Sequence, residues 1–217
     1  MNILVKLSGV VAIAALSAGC AMFESERPMF PAAEGVPVYG EAPALIRWTM
    51  LEKDADPKTA RIDATFAGGR YAMSARGKDK TVWSESLHAT AGIPAPPATA
   101  SPPSAATAWY VQQIEYAGDD NAGTPTYYYD LLRADSAGLW AYQFRCSDLT
   151  KEERAAFDMT PPLAPPNPDG TPAPASSACT VRSPESLDKA FALLASRQDP
   201  RVRISVKPKG KSWFSRF

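Results

Sequence analysis

Proline is the residue that most limits the folds open to this chain. The 217 residues include 21 prolines, about twice the usual share of roughly 5%. Five of them lie in residues 93–106 and seven in residues 161–174. Such a density excludes central strands and long helices, because proline lacks the backbone N–H and its ring blocks the preceding helical turn. The sequence therefore predicts two solvated loops, with regular structure confined to the blocks around them.

The blocks outside these loops alternate between apolar and polar residues, as antiparallel strands do. Residues 44–91 alternate on both sides of Gly68-Gly69, a pair typical of a two-residue hairpin turn. Aromatic residues are dense in the later strands, which favours core packing, with a surface that stacks sugars or peptides as the alternative. Those strands are predicted at Trp109–Tyr116, Thr126–Arg133, Leu139–Cys146 and Arg201–Val206.

Two helix starts stand out near the end of the chain. Thr150 and Glu153 have the spacing of a capping box before a short helix. Ser183-Pro184 begins a second, longer helix over about 184–197, with serine as the cap and proline at the first helical position. We therefore predict an α+β fold, mostly β, in which an antiparallel sheet of roughly seven to nine strands carries the long helix on one face and the last strand beside that helix.

The first twenty residues have the features of an export signal. Lys6 precedes the apolar run Leu7–Leu16, which as a helix would measure roughly 15 Å, about half of a bilayer core. The run ends in Leu16-Ser17-Ala18-Gly19-Cys20. Small residues before a cysteine at this point resemble the lipobox of bacterial lipoproteins. Cleavage by an ordinary signal peptidase is the alternative.

The resemblance implies a lipid anchor. A diacylglycerol thioether would form at Cys20, and the amine freed by cleavage would then be acylated, so that palmitate-like chains hold the protein on a membrane. Ala21 rather than aspartate after the cysteine implies delivery to the outer membrane. The predicted organisation is a signal peptide at 1–19, the lipidated cysteine and a flexible tether at 20–43, one folded domain at 44–207 and a basic aromatic tail at 208–217. The alternative for the tether is an edge strand near Val36–Tyr39 that packs on the domain.

The other two cysteines are expected to form a disulfide. Export places them in a compartment where disulfides persist, and with Cys20 lipidated only Cys146 and Cys179 remain. Closing a loop of about 34 residues should stabilise the fold by roughly 3.5–4 kcal/mol. A redox pair is the alternative, but the Cys-x-x-Cys motif that would support it is absent.

The end of the chain is basic. From Arg197 to Phe217 there are seven basic residues and one acidic residue, within a chain of 23 basic and 23 acidic residues. Such a tail could bind an anionic membrane surface or be a frayed, solvated terminus. The candidate surface-binding residues are Lys207, Lys209, Lys211, Trp213, Phe214, Arg216 and Phe217.

Catalytic and metal-binding motifs are not recognisable. The single histidine, His88, is predicted to be a half-exposed strand residue, and it excludes multi-histidine metal sites. Asp119-Asp120-Asn121 does not have EF-hand spacing and predicts a hairpin turn. Balanced charge argues against nucleic-acid binding. No cofactor is predicted, although carboxylate pairs that meet only in the fold remain open.

We therefore expect a non-catalytic outer-membrane lipoprotein that binds or scaffolds a protein partner or the cell wall. The ending of one helix and one strand is similar to the second half of a SPOR-type peptidoglycan-binding domain, which implies a cell-wall role, although the first β–α half is missing. One alternative is a ligand-binding or chaperone-like lipoprotein that uses an aromatic sheet face. The other is an envelope hydrolase that uses carboxylates.

Overall fold

The computed structural model describes residues 23–51, 58–76, 81–91, 93, 107–116, 125–160 and 178–209. Ten strands and two α-helices lie within these ranges. The strands are β1 (Phe23–Ser25), β2 (Ala44–Met50), β3 (Thr59–Ala67), β4 (Arg70–Ala75), β5 (Val82–Thr90), β6 (Ala108–Tyr116), β7 (Thr126–Asp135), β8 (Gly138–Tyr142), β9 (Cys179–Thr180) and β10 (Val202–Pro208). The helices are α1 (Lys151–Ala156) and α2 (Pro184–Ala195).

Eight of these strands close into an antiparallel barrel. Neighbouring strands follow the order β6-β5-β4-β3-β2-β10-β8-β7, and β7 pairs again with β6. The last strand completes the ring, because β10 pairs with β2 on one side and with β8 on the other. The predicted mostly β fold with two helices is confirmed. The predicted sheet, however, closes on itself, and closure leaves the eight strands without a free edge.

The Gly68-Gly69 hairpin forms as predicted. Ala67 pairs with Arg70 across the turn, and the two glycines have φ angles of 58° and 79°, the left-handed region that a two-residue turn of this type needs. Gly69 also packs closely on the N-terminal part of the chain, since a Cβ atom there would overlap the carbonyl oxygen of Ala32.

The barrel has one hydrophobic core inside it and another outside. The inner core takes side chains from all eight barrel strands, among them Ile46, Met73 and Leu132. The outer core lies between strands β6–β8 and helix α2, where Tyr129 and Phe191 are each at most 1% exposed. The expectation that the long helix covers one face of the sheet is thereby confirmed, as is core packing of most strand aromatics.

Residues 23–43 pack against the barrel. Strand β1 pairs with β7 and β9, and Phe23 is fully buried. The side chain of Gln113 fixes the next turn, because its Oε1 accepts hydrogen bonds from the backbone N–H groups of Met29 and Phe30 at 2.9 and 3.1 Å. The flexible tether predicted for this segment is therefore wrong over the described residues, since buried apolar side chains and backbone hydrogen bonds hold it in place.

A disulfide joins Cys146 to Cys179, as predicted, with Cα atoms 5.3 Å apart. Cys146 lies in a short 3₁₀ turn after β8, and Cys179 lies in β9, where it is opposite Phe23 of β1. The bridge therefore connects the barrel to the two short strands that pack on its outer face.

Both helices begin at the predicted caps. The Thr150 hydroxyl accepts from the backbone N–H of Glu153 at 3.2 Å, and the Glu153 carboxylate accepts from that of Thr150 at 2.8 Å. Ser183 caps α2 by accepting from the N–H of Ser186 at 3.2 Å. Among the described residues, no helix has the length and apolar character needed to cross a membrane.

The folded domain extends slightly beyond its predicted end at residue 207. Strand β10 runs to Pro208, which is opposite Ala44, and the backbone N–H of Lys209 donates to the carbonyl oxygen of Pro43 at 2.8 Å. The first two residues of the predicted tail are therefore part of the barrel, because they complete the hydrogen-bond ladder between β10 and the start of β2.

Candidate functional site

Three polar side chains lie on the inner wall of the barrel. Glu85 stands between the inward Trp83 and Leu87 of β5, and the same alternation places Gln112 of β6 and Asp130 of β7 inside. Gln112 and Asp130 are direct partners in the register of β6 and β7. The three side chains therefore form one polar cluster, which we call the inner acidic cluster, on neighbouring strands of an otherwise apolar interior.

The carboxylate of Glu85 is held through only one of its oxygens. Its Oε2 accepts a hydrogen bond of 2.7 Å from Gln112 Nε2 and a longer one of 3.3 Å from Trp83 Nε1. Its Oε1 is buried and makes no hydrogen bond to a described residue. Glu85 itself is 1% exposed, so this oxygen is an acceptor that is removed from bulk water and has no protein donor.

Tyr39 closes over the same carboxylate from the N-terminal segment. Its backbone N–H donates to the Tyr71 hydroxyl at 2.9 Å, and that hydroxyl donates to the Gly40 carbonyl oxygen at 3.1 Å. The Tyr39 hydroxyl faces Glu85 and lowers the pKa of that carboxyl. Its oxygen is nevertheless buried and not aligned for a good hydrogen bond with a described residue, so a second polar atom of the cluster is also left unsatisfied.

Both carboxyl groups have raised pKa values. Burial is the largest cause for Glu85, whose pKa rises to about 7 although the Gln112, Trp83 and Tyr39 contacts oppose the change. Burial also raises the pKa of Asp130 to about 7, and repulsion by Glu85 adds to the shift. The two groups therefore resist being negatively charged together, and a positive charge between them would relieve that repulsion.

Several inward side chains retain access to solvent. Asp130 is enclosed closely enough to be desolvated, yet part of its surface is accessible. Trp48, Tyr110 and Tyr128 also pack on the inner core while remaining partly exposed. Solvent therefore reaches part of the inner wall around Asp130. An eight-stranded barrel is either filled by its own side chains or just wide enough to hold one small ligand.

A third unsatisfied atom lies inside the barrel, on β2. The Nε1 of Trp48 is a buried donor with no hydrogen-bond partner among the described residues, and its ring lies 6.5 Å from that of Trp83, centroid to centroid. The interior thus offers a donor from Trp48, an acceptor from Glu85 and a hydroxyl from Tyr39. Buried groups of this kind are costly unless they are satisfied, by about 1–3 kcal/mol each.

The structure places the predicted site residues in different regions. Cys146 and Cys179 meet in the disulfide. Lys209 forms an ion pair with Asp63, its Nζ lying 3.3 Å from Oδ1, and Lys207 lies in β10. The remaining predicted residues are outside the described ranges: Cys20, Lys211, Trp213, Phe214, Arg216, Phe217 and the Asp119-Asp120-Asn121 turn.

The structure differs from the sequence-based expectations in the exposure of His88 and of several strand aromatics. His88 is in a strand as predicted but is buried, at 5% exposed, because the Phe30 ring stacks on it at 4.8 Å and Ser86 Oγ lies 2.9 Å from its Nε2. The aromatic face formed by residues such as Trp109 and Tyr127 is at most 8% exposed. These rings lie beneath other elements, whereas Tyr110, Tyr128 and Trp140 remain partly exposed.

The inner acidic cluster was not among the sites predicted from the sequence. A signal was present, because Glu85, Gln112 and Asp130 each occupy a position between two inward apolar residues of an alternating strand. A polar residue at such a position is uncommon in a core and calls for a partner. Their proximity follows from the register of β5, β6 and β7, which alternation within a single strand does not specify.

Neither metal ligation nor similarity to known proteins identifies the site. Within the described ranges, no three His, Cys, Asp or Glu side chains group closely enough to hold a metal ion. Searches against protein-family models, curated proteins and solved structures find no match to this chain.

Proposed function

We propose that this chain is a non-catalytic, lipid-anchored binding protein of the bacterial envelope that holds a small amphiphilic ligand inside its barrel. The unpaired Glu85 Oε1 on an apolar, partly solvent-accessible inner wall supports this proposal most directly. Ligand sites are typically apolar cavities with a few polar groups that orient the ligand. The inner core supplies the apolar surface, and the inner acidic cluster supplies the polar groups.

The anchor is proposed from the lipobox and would place the barrel close to the membrane. Only two residues separate Cys20 from Phe23, where β1 begins, so the lipidated cysteine and the folded body can be at most about 11 Å apart. The tether predicted from the prolines would have been several times longer. Close apposition suits a protein whose ligand partitions into lipid.

A second candidate is the envelope hydrolase, which the meeting of two carboxyls favours. General acid–base chemistry needs environments that push two pKa values apart, so that one group is protonated while the other is ionised. In this barrel burial raises the pKa of both carboxyls to about 7, and each opposes ionisation of the other. Glu85 is only 1% exposed, however, which fits binding of a small ligand better than hydrolysis of a large envelope polymer.

Quenching by a brominated amphiphile tests binding in the interior. The probe is 12-bromododecan-1-ol, which is uncharged and quenches tryptophan at near-contact distances. We expect saturable quenching that is lost in the Trp48→Phe/Trp83→Phe double variant, because both rings line the interior. The matched control is Trp140→Phe, which changes a ring packed against Arg133 and Arg203 outside the barrel and should leave quenching intact. Quenching that does not saturate, or that survives the double variant, would contradict the proposal.

Membrane fractionation and palmitate labelling test the anchor. The natural chain should incorporate labelled palmitate and sediment with membranes, whereas Cys20→Ser should do neither. The Cys146→Ser/Cys179→Ser double variant is the control, since those cysteines form the disulfide and should not be acylated. Equal labelling of the natural chain and Cys20→Ser would exclude the anchor.

A further inference from the structure

We propose that the ligand is a cationic amphiphile whose ammonium group binds between Glu85 Oε1, the Asp130 carboxylate and the Tyr39 hydroxyl. This inference rests on the proposed function, because it assigns the chemistry of the head group that the same interior would select. The arrangement of the polar atoms in the inner acidic cluster supports it.

One oxygen of the Glu85 carboxylate accepts two hydrogen bonds and the other accepts none. Both of its protein donors converge on Oε2, from Gln112 and Trp83, and they fix the orientation of the carboxylate plane. Its Oε1 is left buried with no hydrogen bond of good geometry to a described residue, although the Tyr39 hydroxyl faces the same carboxylate and lowers its pKa. A group that supplies N–H bonds and positive charge would satisfy this oxygen with a charge-assisted hydrogen bond, which is stronger than a neutral one.

Positive charge is not supplied by the barrel itself. The basic residues of the described barrel strands alternate with the inward apolar ones and so lie at outward positions; they are Arg47, Arg61, Arg70, Arg133, Arg203 and Lys207. The inward positions hold Glu85 and Asp130 instead. Two mutually repelling carboxyls on one wall, with no inward lysine or arginine among the described residues, favour a cation that arrives from outside.

Aromatic groups complete the proposed subsite. Tyr39 contributes its unsatisfied hydroxyl, and its ring lies 5.0 Å from that of Tyr71, centroid to centroid. Trp83 directs the N–H edge of its indole to Glu85, so the ring faces available to a cation are those of the tyrosines. Ammonium groups are attracted to the faces of such rings, particularly where water is excluded. The hydrocarbon chain would then lie along the partly exposed inner rings of Trp48, Tyr110 and Tyr128.

The protonation of the site should change on binding. The titratable groups that face Glu85 are Tyr39 from the N-terminal segment, Tyr71 of β4 and Asp130 of β7. Because burial holds the pKa of both carboxyls near 7, an arriving cation would favour their ionised forms and release protons. Affinity should therefore rise by about tenfold for each carboxyl deprotonated on binding between pH 6 and pH 8.

Calorimetric titration with three C12 amphiphiles tests the proposal. Dodecylammonium should bind at least about tenfold more tightly than dodecanol, and laurate should bind most weakly. Binding of the amine in two buffers of different ionisation enthalpy should show proton release. Glu85→Gln and Asp130→Asn should each reduce the preference for the amine while dodecanol binding is retained. Glu115→Gln is the matched control, because Glu115 is on the outer face of β6, paired with Arg70 at 2.9 Å.

The outcomes separate the two proposals. Equal binding of all three amphiphiles would overturn the cation preference and leave interior binding standing. Binding of none of them would overturn both proposals. Because each neutralising variant removes a buried charge, circular dichroism should show folded protein. If one variant failed to fold, the ratio of the affinities for dodecylammonium and dodecanol in the other variant would test the cation preference.

Discussion

Gln112 and Glu85 are joined across β6 and β5 by a hydrogen bond of 2.7 Å inside the barrel. The bond leaves the second oxygen of the carboxylate without a protein donor, and it turns an otherwise ordinary hydrophobic interior into a polar subsite. A core selected for stability alone would be expected to use apolar residues at these positions, because a buried carboxyl with a raised pKa costs stability at neutral pH.

Replacement of Glu85 by glutamine should stabilise the protein at neutral and alkaline pH. The pKa of Glu85 is raised from 4.5 to about 7 in the fold, so the folded state binds the proton more tightly than the unfolded state. Its contribution to stability is therefore greatest below pH 4.5 and is lost as the pH rises through 7. The gain for Glu85→Gln at pH 8 should be at most about 3 kcal/mol.

Urea unfolding at pH 5, 7 and 8.5 measures this effect. Glutamine keeps an oxygen for Gln112, so the hydrogen bond can persist. Glu115→Gln should change stability by only about 0–1 kcal/mol, since its ion pair is solvent-exposed. A Glu85→Gln protein that is less stable at pH 8.5 than the natural chain would show that the ionised carboxylate stabilises the fold.

Loss of the disulfide should destabilise the outer core without opening the barrel ladder. Cys146 and Cys179 are 33 positions apart, and the entropy of closing such a loop corresponds to about 3.5–4 kcal/mol. Cys146→Ser/Cys179→Ser should lose approximately that stability in urea unfolding, and β1 and β9 should become less protected in hydrogen exchange. Unchanged protection of β1 would mean that the bridge does not help to hold the N-terminal segment.

The Gly68-Gly69 hairpin offers a matched pair of variants for docking of the N-terminal segment. Both glycines have positive φ angles, so alanine at either should cost about 1 kcal/mol through the backbone. Only at Gly69 would the new Cβ meet protein, because it would overlap the Ala32 carbonyl oxygen and lie 2.9 Å from the Cα atom of Ala33. Gly69→Ala should therefore cost about 1–3 kcal/mol more than Gly68→Ala, measured by urea unfolding. Equal losses of stability in the two variants would indicate that the N-terminal segment moves away from the new Cβ atom at little energetic cost.

Truncation of the C-terminus should separate the folded body from the basic tail. Removal of residues 210–217 should leave thermal stability unchanged, whereas removal of 207–217 should cost about 1–3 kcal/mol, because it deletes the pairing of β10 with Leu45 and Ala44. If the tail binds membranes, the shorter truncation should also weaken binding to phosphatidylglycerol vesicles by about tenfold and leave phosphatidylcholine binding unchanged. Equal vesicle binding would exclude that role.

The local elements of this protein could be read from its sequence, because their causes are local. Alternation predicted the strands, Gly68-Gly69 predicted a hairpin, and Thr150 and Ser183 predicted the helix starts. The cysteine pairing also followed, since only two thiols remained after the expected lipidation. The strands, the hairpin and the helix starts depend on residues that are near in sequence. The disulfide depends on a pairing that has only one possibility when two cysteines remain.

The tertiary structure alone decided barrel closure and the site. The pairing of β10 with β2 joins residues more than 150 positions apart, and no short-range pattern specifies it. The register of β5, β6 and β7 sets Glu85, Gln112 and Asp130 side by side, and closure encloses the wall on which they lie. Closure also gives the N-terminal segment a surface to pack on. Burial of Phe23 and Tyr39 on that surface outweighs the preference of the prolines for an extended, solvated chain.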